Sequence, residues 1–228
     1  MPLVYFSRLL NRYPELVPDK LRELDQLRLE TIPASLQQRA KNGDAYLTKG
    51  EVLQLMEWKL KHGTFRPGLL NRVASNSSEA VESTTRAAFY TYANSTGSSE
   101  SGVKTSAMAS MSHPPLSTLI AALNTLTTLN GIGPATASLL LSTLAPASVP
   151  FFSDELFRFL RWETGGPTGS RGWGRKIAYS GKEYADLAER AWEVCARLGG
   201  YVDVGVRELE AVAWVLGKEE IVLDQDSE

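Results

Sequence analysis

Apolar residues recur along this chain at intervals of three and four, the spacing that gathers them on one face of an α-helix, and the alternation that marks strands is scarce. Between Thr48 and His62 the positions Leu53, Met56 and Leu60 share such a face. Thr48-x-x-Glu51 opens the segment as a capping box, in which hydroxyl and carboxylate each satisfy one orphan amide, and Gly63 stops it. A second capping box, Ser180-x-x-Glu183, starts a helix whose Leu187, Ala191, Val194 and Leu198 form a stripe ending at Gly199-Gly200. The last periodic segment begins near Asp203, turns Val206, Leu209, Val212, Ala213 and Leu216 inward, and ends at Gly217. The same spacing predicts helices at about 19 to 29, 34 to 42, 79 to 92, 115 to 130, 134 to 145 and 154 to 163. The expected fold class is all-α.

Periodicity lapses between Asn94 and Ser112, where eleven of nineteen residues are Ser, Thr or Gly. Such a composition predicts a mobile loop. It splits a single 1–228 domain into two helical lobes, about 1–93 and 114–228, with the flexible segment at 94–113. A chain of 228 residues is long enough to bury a substantial core.

Composition narrows the chemistry. Cys195 is the only cysteine, so no internal disulfide and no cysteine-ligated zinc or iron-sulfur centre can be assembled, and a reducing compartment is the natural reading. His62 and His113 are too few and too isolated for a metal site or a Ser-His-Asp triad, so neither a metal nor a cofactor is expected. Arg8 and Arg12 interrupt the apolar amino-terminal stretch, which makes it a poor secretory signal and no membrane span. An intracellular protein is expected, nuclear first and mitochondrial as the alternative, and monomeric. The sequons at Asn76 and Asn94 are then incidental.

Net charge is -2, which argues against binding nucleic acid by bulk electrostatics, but the charge is unevenly spread. Asp203 to Glu228 carries -6, leaving +4 on the rest. Lys49 to Arg72 holds five Lys/Arg against Glu51 and Glu57, and Gly165 to Lys182 holds Arg171, Arg175, Lys176 and Lys182 against no acid. Each stretch is either a phosphate-facing surface or a solvated face.

The richest stretch is Leu129-Asn-Gly-Ile-Gly-Pro-Ala-Thr-Ala-Ser-Leu-Leu-Leu141. Gly131 and Gly133 around Ile132 make a tight turn whose backbone can approach a ligand, and Pro134 suits the first turn of the following helix. The amides at that helix start, with the positive end of its dipole, form a ready phosphate site. A plain helix-helix turn is the bland reading of the same glycines.

Leu-x-Gly-Ile-Gly-x-x-Thr-Ala resembles the signature of the helix-hairpin-helix (HhH-GPD) superfamily of base-excision DNA glycosylases. In that family a catalytic aspartate follows in a pattern like Val-Asp-x-x-x-x-Arg. Here Val149-Pro-Phe-Phe-Ser-Asp154-Glu-Leu-Phe-Arg158 places Asp154 19 residues after Ala135. The resemblance spans about Leu116 to Trp162 and implies two lobes around a cleft, with double-stranded DNA bound through its backbone phosphates. It implies Asp154 as the catalytic residue and Gly131, Ile132, Gly133, Ala135, Thr136 and Arg158 among the DNA contacts. Capping of the helix at 154 is the alternative duty for Ser153 and Asp154. Bifunctional members carry a lysine where this chain has Ala135, so a lyase route is not expected from that position, and no cysteine cluster holds iron-sulfur. The function implied is a monofunctional glycosylase acting on a damaged or modified base flipped from the duplex; the alternative is an inactive DNA-binding or protein-interaction module that keeps the fold.

A flipped base needs flat apolar walls. Phe151, Phe152, Trp58, Trp162 and Trp173 are available, although aromatics at helical spacing usually belong to the core. Trp173, in Gly172-Trp-Gly174 amid arginines, is the preferred base contact, with Arg175 and Lys176 beside it as DNA contacts. His62 to Gly68 is a compact loop after a basic helix, read first as a structural turn with Arg66 solvated or capping carbonyls and otherwise as a contact to phosphates or a lining of the cleft.

Overall fold

The computed structural model of the chain describes residues 3–95, 113–164, 169–199 and 204–223. Among these residues the protein is all helix, with no strand. In chain order the elements are α1 (Leu3–Leu16), α2 (Asp19–Gln26), a π-helical turn (Leu27–Thr31), α3 (Ile32–Lys41), α4 (Lys49–His62), α5 (Leu69–Ala74) and α6 (Ser78–Ser95). Then come α7 (Leu116–Leu126), α8 (Pro134–Leu144), α9 (Asp154–Leu160), a 3₁₀ turn (Gly172–Gly174), α10 (Gly181–Leu198) and α11 (Val206–Lys218). The expected 94–113 loop lies mostly outside the described residues, as does the expected onset of the last helix at Asp203.

Both capping boxes form: Thr48 with Glu51 at α4 and Ser180 with Glu183 at α10. Helix α8 is buried at every position from Ala135 to Thr143. A helix that is apolar or small all round belongs inside a structure, and α3, α4, α6, α7 and α10 all pack on it. Its interior hydroxyls are satisfied locally, Ser142 and Thr143 donating to carbonyls three residues back.

Three features depart from the periodic reading. Helix α7 stops at Leu126, so residues 127 to 133 form the turn before α8. Two helices, the 14-residue α1 and the six-residue α5, were not anticipated; α1 packs on α11, where Arg12 pairs with Glu219. The break expected between 29 and 34 is absent. Pro33 removes a donor and crowds the carbonyl four residues back, and the wider π-helical turn ahead of it absorbs that conflict, so the helix runs on from α2 to α3.

The π turn also places Arg28 in the interior, 3.0 Å from Glu210 of α11 and 4.1 Å above the Trp58 ring. Nearby Asp25 accepts the Tyr13 hydroxyl at 2.9 Å and the Trp58 indole at 3.0 Å. These bonds tie α1, α2, α4 and α11 together behind the cleft described next.

Candidate functional site

Ser153 and Asp154 divide the duties that the sequence left joined. Ser153, in extended backbone, caps α9 by accepting the Leu156 amide at 3.2 Å. Asp154, at the first helical position, has no capping bond; its Oδ1 accepts the Tyr179 hydroxyl at 2.6 Å, and its Oδ2 lies 3.5 Å from the Arg158 guanidinium. The positive end of the α9 dipole favours a carboxylate there.

This carboxylate faces a cleft of about 210 Å³. One wall is α4 and the loop after it, with Lys59, His62, Gly63, Thr64 and Arg66; the other is Phe151 to Glu155 with Arg158, closed by Tyr179 and by Lys218 of α11. Phe151 and Phe152 line this space as core side chains, nearly all of their surface buried. Arg66 lies over the Tyr179 ring at 5.1 Å. Tyr179 adopts a left-handed φ of 55°, unusual for a residue with a bulky side chain. Burial, and then its bond to Asp154, raises the phenol above its ordinary value, so it remains a donor.

Three further ionisable groups of the cleft are displaced. Burial, and then Arg66, lowers the Lys59 amine, with Asp154 opposing. Burial, assisted by Arg28, Lys218 and Lys59, lowers His62 well below its usual value, so the imidazole is neutral, stacked 4.4 Å from Trp58 and 5.5 Å from Trp214. Its Nε2 is buried with no partner among the described residues. Burial raises the Glu155 carboxyl to about 7.

The 131–133 turn lies apart from the cleft lining. Gly131 has φ 80°, and a Cβ there would meet the Val73 amide nitrogen at 3.1 Å, so only glycine lets the turn seat on α5. Asn76 holds it in place: its Oδ1 accepts the Asn130 amide and its Nδ2 donates to the Asn130 carbonyl, each at 2.9 Å. Gly133 is exposed with open space around it. Ile132, Ala135 and Thr136, expected as DNA contacts, bury their side chains, and the Thr136 and Ala137 amides are bonded to the Gly133 carbonyl. What the turn can offer a ligand is therefore backbone at Gly131 and Gly133. One segment, 63 to 76, runs from the cleft wall to the seat of this turn.

The Trp173 region behaves differently from its expectation. The indole donates to the Ile221 carbonyl at 2.9 Å, meets Trp162 edge-on at 5.1 Å and packs on the core, lining a separate depression with Trp162, Arg171 and Val222. Arg175 is 8% exposed, its guanidinium spent on the Thr164 carbonyl and lying over Phe157. Neither lines the Asp154 cleft; Lys176 is exposed and also apart from it. Trp58 is core, bonded to Asp25. Of the two readings of the His62 to Gly68 loop, the cleft lining is the one the structure shows, with His62, Gly63, Thr64 and Arg66 in the wall.

Lys59, Glu155, Tyr179 and Lys218 escaped the sequence reading. Glu155 alone left a signal, as the immediate neighbour of Asp154; the others come from helix faces and a loop that carry no motif. No helix among the described residues is long and apolar enough to cross a membrane, and no cluster of His, Cys, Asp or Glu there could hold a metal. No protein-family model, curated protein or solved structure matches this chain, and the site stands on its own geometry.

Proposed function

We propose that this protein is a monofunctional DNA glycosylase-like enzyme, of the helix-hairpin-helix kind its sequence resembles, with two lobes around the cleft. It hydrolyses the N-glycosidic bond of a damaged or modified base flipped out of double-stranded DNA. The observation that carries this reading is the presentation of Asp154 in a cleft bordered by Lys59, Arg66, Arg158 and Lys218 and floored by Phe151 and Phe152.

Each part has a duty in that reaction. Breaking the bond develops positive charge on the deoxyribose, which a fixed carboxylate stabilises while it orients the attacking water. Tyr179 and Arg158 fix the Asp154 rotamer. Phe151 and Phe152 close the inner end of the cleft toward the core, and Arg66, on the exposed loop, draws a flanking phosphate. The Gly131 and Gly133 backbone grips the strand beyond the cleft.

The test is base release from duplexes bearing deaminated, oxidised or alkylated bases. The wild-type protein forms abasic sites and Asp154→Asn loses about 100- to 1000-fold in rate. Equal background from both across the panel rejects the enzyme. A second reading, a DNA-binding module without chemistry, draws on the two donors that already occupy Asp154. It expects salt-dependent duplex affinity that Asp154→Asn leaves intact, and no base release.

A further inference from the structure

Resting on the glycosylase reading, we propose that the cleft takes an electrically neutral base rather than a cationic alkylated one, and that Glu155 is the acid that protonates it as it leaves. The first half follows from charge. Even with the Lys59 amine lowered and Arg66 set aside for a phosphate, Arg158 and Lys218 outnumber Asp154 on the cleft walls, and neutral His62 adds no charge. A cationic base entering that field is repelled; an uncharged one is not.

The second half follows from the contrast between two adjacent carboxyls. Asp154 accepts from Tyr179 and Arg158. Glu155, in the same turn and the same cleft, has no ion pair among the described residues; its carboxyl is bonded to its own backbone, and its methylenes press on Gly217, where a Cβ would come within 2.8 Å. The charges acting on it are Asp154 of its own helix and Glu210 and Lys218 of α11, while Lys59 of α4, Arg66 of the loop, Arg158, Tyr179 and neutral His62 line the same cleft. Burial dominates, the bond to its own backbone and Lys218 oppose, and Asp154 and Glu210 add, leaving the carboxyl at about 7, where a good part of it keeps its proton near neutral pH. A buried carboxyl next to one held by a tyrosine and an arginine is a usual arrangement for an acid and a charge stabiliser.

A neutral base is a poor leaving group without a proton. The Glu155 carboxyl gives its proton to a ring nitrogen or carbonyl oxygen of the base as the C1′–N bond breaks and the bonding pair departs with the base. The positive charge left at C1′ faces Asp154; water adds there, loses a proton to solvent by way of a carboxylate, and Glu155 is reprotonated from solvent. A cationic base already leaves as a neutral molecule and gains nothing from the acid.

The experiment compares duplexes containing uracil, hypoxanthine or 7-methylguanine across pH 5 to 9. Uracil or hypoxanthine is released and 7-methylguanine is not, and the rate falls as pH rises through about 7. Glu155→Gln loses about 100-fold on the neutral bases and loses that descending limb. Glu155→Asp, which keeps an acid, retains a descending limb, showing that proton donation and not packing is at stake. Preference for 7-methylguanine, or an unchanged pH profile in a folded Glu155→Gln, overturns the inference while the glycosylase reading survives. Release from no duplex overturns both.

Discussion

Lys49 to Arg72 and Gly165 to Lys182 resemble each other as strings of basic residues, and the fold uses them in opposite ways. The first sends Lys59 and Arg66 to a cleft wall beside Asp154. The second folds Arg175 inward, where Thr164 takes its guanidinium, and ties Trp173 to Ile221. A guanidinium with several donors can hold a loop together as readily as it can meet a phosphate, and the choice is made by which acceptors surround it. Charge density along the chain does not report that choice.

Substitutions can break the contrast. The largest stability cost is expected from Gly131→Ala, at the seat of the 131–133 turn against the last residues of the first stretch. A left-handed φ and a Cβ pressed on backbone together cost about 2 to 3 kcal/mol, read as a lower urea midpoint. Arg175→Ala comes next, losing about 1 to 3 kcal/mol because the buried side chain gives up both its packing on Phe157 and its bond to the Thr164 carbonyl, with duplex affinity unchanged. Arg66→Ala does the reverse: stability stays within about 0.5 kcal/mol, and duplex affinity falls with a salt slope shallower by about one. Were Arg175→Ala to weaken binding and Arg66→Ala to unfold the protein, the assignment of the two stretches would be inverted.

The sequence carried the helical class, both capping boxes and the serine cap of α9, because these depend on residues within a few positions of each other. It carried Asp154 through spacing from the glycine turn. It did not carry the partners of Asp154. Tyr179 comes from an irregular segment with no periodicity, and Lys59 sits on an amphipathic helix where a lysine reads as a solvated charge. Proximity of residues 59, 154, 179 and 218 is set by how α4, α9, α10 and α11 pack. The same limit explains Trp173: glycines on both sides suggest freedom, yet an indole that finds the Ile221 carbonyl and the Trp162 ring is fixed by them. Helix α5 was missed because six residues give too little periodicity to register.

The wide turn at Leu27–Thr31 acts as a phase shifter on the rod that contains it. In an α-helix each residue advances the azimuth by about 100°, so excising one residue from that turn would restore a regular spiral and rotate everything upstream by about that angle relative to α3. Ile32 and Leu36 could keep their places against the interior, but Asp25 would swing away from the indole of Trp58 and the phenol of Tyr13. The ring beneath His62 would lose its acceptor, and the floor of the cleft its anchorage, through an edit made two helices upstream of it.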